Sequence, residues 1–280
     1  MEKILVTGWS GFLGSVLLPI LENNYTVVKF LGDISNYENV LDQIQDDITK
    51  VVHLAGLISG NDKDLIKVNV LGTLNLLEAL KEKPPKCLNF FLSIGSASEF
   101  SFTKDRVNED MLKQPSTMYG KTKLMSSDLI YSWYKYSSTP TVIFRPFNII
   151  GPNQPFRMLP RKLQMFFSRN TSEAVIENVN VNSVRDWIDV NDVCSAIKEI
   201  LSKELNVFSE INFGKGEPVS NLALIEVFAN VWNKKFHFSE SNFLTDSVVC
   251  DNSKFCTLFP NFKFKFSLEE SVNQIKKSHP

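Results

Sequence analysis

The chain has 280 residues, 43% of them hydrophobic, and its 30 Lys+Arg against 31 Asp+Glu give a formal charge of -1. That is enough apolar material for one large or two modest cores, and it leaves no excess positive charge to hold nucleic acid or an anionic membrane surface. Four scattered cysteines without C-x-x-C spacing and three dispersed histidines argue against a zinc site or a disulfide framework and fit reduced thiols in a cytoplasmic protein. No apolar run approaches the ~20 residues of a membrane span, and Met1-Glu2-Lys3 lead straight into a strand-like segment, so neither a membrane helix nor a signal peptide is expected.

Lys3–Thr7 is short, apolar and β-branched, as a strand buried in a parallel sheet must be, and it runs into Gly8-Trp9-Ser10-Gly11-Phe12-Leu13-Gly14. This G-x-x-G-x-x-G turn opens a helix on which Phe12, Val16 and Ile20 keep i, i+4 spacing. Backbone N–H groups at a helix N-terminus can then approach a pyrophosphate. Pro19 removes a backbone hydrogen bond inside that helix and predicts a kink or an early end. A second strand over 25–30 is followed almost at once by Gly32-Asp33-Ile34. Its end carries Lys29 and Phe30 rather than an acidic residue that would bind a ribose 2′-OH and repel a 2′-phosphate, so NADP is permitted beside NAD. Asp33 begins a turn, either one that borders an adenine or a simple Asx-turn.

A third strand over 50–54 ends in His53-Leu54-Ala55-Gly56, where small residues let the backbone run beside a cofactor ribose; His53 reads as packed rather than catalytic. A helix over 65–80 carries Val68, Leu71 and Leu76, with Asn69 in its first half. Strands over 87–93 and 141–145 follow, the first opening into Ile94-Gly95-Ser96-Ala97-Ser98-Glu99-Phe100 and the second into Pro146-Phe147-Asn148. Between them Tyr119 and Lys123 begin a helix whose Met125, Leu129 and Trp133 form an apolar stripe. Four residues apart, phenol and ammonium share one helix face. A tyrosine with its usual pKa near ~10 needs a fixed positive charge to exchange protons at neutral pH, and Lys123 can supply it.

This alternation of strand and helix predicts a doubly wound parallel α/β sheet over residues 1–150. Beyond Gly151 the chain is broken by Pro152, Pro155 and Pro160, and a smaller α/β domain over 151–280 is expected. The segment 211–214 reads as a strand returning to the sheet, Ser220 as a helix N-cap, and Ser267-Leu268-Glu269-Glu270 as a capping box, so the two domains interleave in sequence.

Six motifs stand in a fixed order: Thr7-Gly8-x-x-Gly11-Phe12-x-Gly14, His53-Leu54-Ala55-Gly56, Asn69-x-x-Gly72-Thr73, Ser96, Tyr119-x-x-x-Lys123 and Arg145-Pro146-Phe147-Asn148. Together they resemble the extended short-chain dehydrogenase/reductases, the NAD-dependent epimerase/dehydratase superfamily acting on nucleotide sugars. The resemblance implies a Rossmann sheet binding NAD or NADP through Gly8, Ser10, Gly11, Phe12, Leu13, Gly14, Lys29, Asp33, Ile34, Leu54, Ala55, Gly56, Asn69, Tyr119, Lys123, Pro146 and Asn148. It also implies that Tyr119 exchanges a proton with a sugar oxygen, that Lys123 lowers the tyrosine's pKa and holds the nicotinamide ribose, and that Ser96, rather than Ser93 or Ser98, bonds the same oxygen. Asn148 would lie near the substrate phosphates, and Arg185, in Arg185-Asp186-Trp187-Ile188-Asp189-Val190-Asn191-Asp192-Val193, would pair with the diphosphate of a nucleotide sugar. A homodimer through the helices beginning near Leu65 and Thr117 is expected.

Two departures narrow the function. Ala97-Ser98 stand where the family's dehydratases carry an Asp-Glu pair, which argues against dehydration. Near the C-terminus Asp246 stands where relatives often place a second arginine, so the nucleotide would be held otherwise, through Arg157, Arg161 or Lys162. Three readings remain: an NAD(P)H-dependent reductase of a 4-keto-6-deoxy nucleotide sugar, a 4-epimerase with tightly bound NAD, and a non-catalytic dinucleotide sensor or scaffold. The missing acidic residue at the second strand favours the reductase.

Overall fold

The structure is a computed structural model that describes residues 1–103, 105–203, 205–238 and 246–278. Its main sheet contains β1 (Lys3–Thr7), β2 (Thr26–Lys29), β3 (Lys50–His53), β4 (Phe90–Ile94), β5 (Thr141–Pro146) and a sixth strand, Ser209–Phe213. The spatial order is Ser209–Phe213, β5, β4, β3, β1, β2, and the four pairings among β1 to β5 are all parallel. Helices cover both faces of this sheet. From β1 the chain moves outward to β2 and then returns to the other side of β1 with β3. The strand order therefore reverses at β1, and the carboxyl ends of β1 and β3 flank the crevice where open α/β sheets bind their ligands.

The elements between the strands are α1 (Phe12–Glu22), α2 (Tyr37–Leu41), α3 (Asp62–Leu65), α4 (Gly72–Glu82) and α5 (Met118–Ser137). Helix α1 passes through Pro19 instead of stopping there. Pro19 and Ser15, whose carbonyl loses its partner, both lie on the exposed face, so water can satisfy the orphaned group. The helix expected over 65–80 begins earlier and contains a π-helical turn, Ile66–Leu71, between α3 and α4. The strand expected at 87 starts only at Phe90, because a turn closed by Leu88 N–H on the Pro85 carbonyl occupies the preceding residues.

Two compact units divide the chain. The first comprises 1–101, 109–145 and 194–211. Its core joins sheet residues Leu5, Val51, Phe91 and Ile143 to Val40, Leu76, Ile130 and Trp133 from the helices, all buried. The second comprises 102–108, 146–193 and 212–280. It pairs Asn148–Ile150 with Trp187–Asp189 in parallel and packs Leu163, Phe167, Trp187, Leu224, Phe228, Val272 and Ile275 into its own core. Ser220 caps its helix by accepting from Ala223 N–H, and Ser267 with Glu270 forms the expected capping box. Among the described residues no helix is long and apolar enough to cross a membrane.

Candidate active site

The turn after β1 is built backbone on backbone. Gly8 has φ +67, and a Cβ there would meet Ala55 N at 2.6 Å, while one on Gly14 would lie 2.3 Å from Gly8 O. Gly11 caps α1 with no side-chain hydrogen bond, and the first turn of the helix carries no acidic residue. The free N–H groups and the positive end of the helix dipole are left for an anion. These residues fit the pyrophosphate of a dinucleotide, with Ser10 and Gly11 exposed at the rim. Trp9 Nε1 donates to Phe30 O at 2.8 Å and ties the turn to the end of β2.

At the adenosine side the structure qualifies the sequence reading. Lys29 pairs with Glu22 at 2.9 Å, over the Trp9 ring; a half-exposed pair of this kind contributes at most about 1 kcal/mol, so a 2′-phosphate could replace the carboxylate. Asp33 forms the Asx-turn, accepting from Ser35 N–H at 2.9 Å, and pairs with Lys67 at 3.3 Å. The bonds from Ser35 hold its carboxyl below the usual range. The Ile34 side chain turns into the core against Gly72.

Behind the end of β3 lies a directed chain of hydrogen bonds. Thr73 Oγ1 donates to Asn69 O at 2.6 Å, so it must accept from His53 Nε2–H at 3.0 Å. Thr7 Oγ1 accepts from Ala55 N–H at 3.2 Å and donates to His53 Nδ1 at 2.7 Å. The ring is thereby fixed as the neutral Nε2–H tautomer, and burial, reinforced by the Lys123 charge, pulls its pKa down to about 3. His53 is a structural residue, as its sequence context suggests. Asn69 is also a brace: its amide exchanges two hydrogen bonds with the Leu57 backbone (2.7 and 2.9 Å) and donates to Thr122 on α5 at 3.0 Å. It lies in the π-helical turn Ile66–Leu71. Asn69 thus ties Leu57, just beyond the loop Leu54, Ala55, Gly56, to α5.

The turn after β4 and the first turns of α5 carry the candidate reactive groups. Thr117 caps α5 by accepting from Gly120 N–H at 3.0 Å. Between Tyr119 and Lys123, Gly120 permits close approach, since a Cβ there would lie 2.1 Å from Ser98 O. The helix therefore seats directly on the turn Ala97–Glu99, which brings the Ser96 side chain beside the Tyr119 phenol. Ser93 sits buried in the ladder opposite His53, and Ser98 offers its N–H to Ser96 Oγ at 3.1 Å. Of the three serines, Ser96 is the one whose hydroxyl reaches the phenol. Burial raises the Tyr119 pKa, Ser96 opposes it and the Glu99 charge adds to it, while Lys123 does not lower it in the ligand-free protein as expected. Lys123 Nζ donates to Ile94 O, and burial pulls its pKa down to about 8 while Glu99 pulls it back up.

Pro146, Asn148 and Arg185 belong to the second unit. Asn148 N–H donates to Asp186 O at 3.0 Å. The Arg185 guanidinium lies over the Phe102 ring and forks onto Asp246, at 3.0 Å to Oδ1 and 3.1 Å to Oδ2. Asp246 thus engages both terminal nitrogens of the guanidinium, and Nη1 also donates to Val184 O at 2.9 Å.

Several groups that shape the site carry no role in the motif reading. Glu99 accepts from Ser96 N–H and from Arg145, and Gly120 sets the helix approach. Arg145 gives one local signal, a cation within the apolar run Thr141–Pro146, which must find a buried partner.

A family model described as the NAD dependent epimerase/dehydratase family matches residues 4–214. The chain belongs to that family. As a member of this epimerase/dehydratase family it is an NAD(P)-dependent enzyme of the oxidoreductase or epimerase type. It is 29% identical over 214 residues, 72% of this chain and 70% of the relative, to a GDP-6-deoxy-D-talose 4-dehydrogenase from Aggregatibacter actinomycetemcomitans. It is 26% identical over 245 residues, 82% of this chain and 80% of the relative, to a GDP-6-deoxy-D-mannose reductase from Pseudomonas aeruginosa. Among solved structures, the UDP-glucuronic acid 4-epimerase from Bacillus cereus, in complex with UDP-glucuronic acid and NAD, superposes with TM-score 0.85 at 27% identity, covering 99% of this chain and 98% of that one.

Proposed function

We propose that this protein is an NAD(P)H-dependent reductase of a 4-keto-6-deoxy nucleotide sugar. The observation that carries the reading is the placement of Ser96 beside Tyr119, with Lys123 one turn along the same helix. Such a set delivers a proton to a carbonyl oxygen as hydride arrives at its carbon. A dinucleotide held on the glycine turn would supply that hydride, while Ser96 orients the oxygen, Tyr119 gives the proton and Lys123 provides the neighbouring positive charge. Dehydration would need a free carboxylate as well. Ala97 and Ser98 have none, and the Glu99 carboxylate is taken up by Ser96, Ser127 and Arg145. The two relatives named for reducing or dehydrogenating GDP-6-deoxy sugars favour reduction, and nothing acidic at the end of β2 opposes NADPH.

The deciding experiment follows the cofactor. A reductase must exchange its dinucleotide every cycle, so the purified protein should release little NAD(H) or NADP(H) on denaturation and should oxidise added NADPH or NADH only when a 4-keto-6-deoxy nucleotide sugar is present. Stoichiometric NAD released from the protein, with interconversion of two 4-epimers in the absence of added dinucleotide, would establish an epimerase instead.

Arg185 is the proposed diphosphate contact. Arg185→Ala should raise the Michaelis constant for the nucleotide sugar roughly ten- to a hundredfold with kcat little changed, as a lost charge-assisted contact of about 1.5–3 kcal/mol requires. Since Asp246 competes for the same guanidinium, Asp246→Asn should move the constant the other way. An unchanged constant in both variants would place the diphosphate elsewhere. The homodimer is likewise proposed: Leu71 at the end of the π turn and Met125 on α5 expose apolar side chains on the two helices concerned, and a two-fold interface must be self-complementary. Sedimentation should give a dimer at micromolar concentration, and a monomer there would remove the proposal.

A further inference from the structure

Glu99 and Arg145 are both 0% exposed, an ionised pair sealed beneath the catalytic turn. Arg145 Nε donates to Glu99 Oε2 at 2.8 Å and Nη2 to Glu210 Oε1 at 2.7 Å, and Lys113 Nζ donates to Glu210 Oε2 at 2.7 Å. The charges alternate along this chain, which ends at the turn: Glu99 Oε1 accepts the Ser96 backbone N–H at 2.8 Å, and Ser127 Oγ on α5 donates to Oε2 at 3.1 Å. Gly95 makes room for it, because a Cβ there would lie 2.6 Å from Arg145 Cγ and 2.8 Å from Glu99 Oε1. Burying such a pair costs desolvation of both ions, and well-packed apolar residues of similar volume often stabilise a fold as well or better. Ser96 and Glu99 form the capping box of this short turn, a structural role that a neutral glutamine at 99 could also fill, so capping accounts for the side chain but not for its charge.

We propose that Glu99 is a positioning residue of the catalytic set: its buried carboxylate fixes Ser96 against Tyr119 and supplies the negative charge that faces Lys123. This rests on the reading of Ser96, Tyr119 and Lys123 as the reactive groups, but not on any particular substrate. The charged and titratable groups around Lys123 are Glu99 from the turn after β4, Arg145 from β5, His53 from β3 and Tyr119 on its own helix. Around Glu99 stand Arg145 and, on α5, Lys123, Tyr119 and Asp128, with Glu210 and Lys113 beyond Arg145. Of these, Glu99 acts most strongly to keep Lys123 protonated against its burial. Without that charge Lys123 would give up its proton, and its positive charge beside the phenol, at a lower pH.

Glu99→Gln keeps the shape and removes the charge, and the titration of Lys123 reads the result directly in cofactor-free protein. Limiting acetic anhydride is added over a range of pH and the acetylated Lys123 peptide is quantified by mass spectrometry. The midpoint, about 8 in the parent protein, should fall. Glu99→Asp keeps a carboxylate and should hold the midpoint near the parent value, although the shorter side chain releases Ser96 and lowers turnover. A purely structural role predicts the same midpoint in all three proteins, and that result overturns the proposal. Should Glu99→Gln fail to fold, Glu99→Gln combined with Arg145→Met removes the buried pair together. Its midpoint should still fall, by less, because Glu99 outweighs Arg145 at Lys123; no fall there overturns the proposal as well. The titration needs no substrate, so its failure and the failure of the reductase reading are separate events.

Discussion

Tyr119→Phe should lower turnover at least ~10²-fold while the fold and dinucleotide binding survive. The substitution deletes one oxygen. What remains in place is the Thr117 cap of α5, the close approach of Gly120 to Ser98 and the glycine turn after β1, none of which uses the phenol. The lost oxygen is the one beside Ser96, so the effect falls on proton transfer and not on packing. Because burial raises the Tyr119 pKa, the phenol in the ligand-free protein is protonated through the neutral range and is ready to donate. The loss should therefore appear in kcat, with the dinucleotide dissociation constant changed only slightly. Single-turnover hydride transfer measured beside cofactor titration makes the distinction. Near-parent turnover would remove Tyr119 from the mechanism.

The second large effect is acid destabilisation through His53. Its pKa is about 3 in the folded chain against 6.5 for an unperturbed histidine, so between these values the unfolded chain binds a proton that the folded chain refuses. Stability from this site is complete above pH 6.5 and declines as the pH falls toward 3. A displacement of about three and a half units at ~1.36 kcal/mol each corresponds to roughly 5 kcal/mol once the pH is well below 3, with about 4 kcal/mol lost by pH 3 and about 2 kcal/mol by pH 5. The physical reason is the directed chain through Thr7 and Thr73: protonated Nδ1 would present a second donor to a hydroxyl that now donates to it. Denaturant midpoints measured between pH 7 and 5 should fall in the parent protein and stay nearly level in His53→Gln, which has no proton to gain. Parallel curves for the two proteins would contradict the assignment.

Local signals made much of this protein legible before any coordinates. A buried parallel strand needs an unbroken apolar run, and Lys3–Thr7 has one; the glycines after it read as a turn because Gly8 must adopt positive φ and Gly14 must clear the Gly8 carbonyl. Tyr119 and Lys123 share a face because four residues make about one helical turn. The caps at Ser220 and Ser267 likewise depend on neighbours within three residues. Exposure and side-chain contacts decide what a linear pattern leaves open. Pro19 does not end α1 because the Ser15 carbonyl it orphans lies on the exposed face, and Lys29 meets Glu22 across the turn after α1.

The amino-acid sequence by itself determined the alternating α/β order, the glycine turn and the spacing of phenol and ammonium, since each is fixed by periodicity or by backbone sterics over a few residues. Only the tertiary structure decided the charge states and partners. Glu99 meets Arg145 across 46 positions, Arg185 meets Asp246 across 61, and His53 stands between Thr7 and Thr73, 46 and 20 positions away. A buried ionisable group takes its charge from whatever the fold brings against it, because desolvation and Coulomb interactions depend on distance in space and not on distance along the chain.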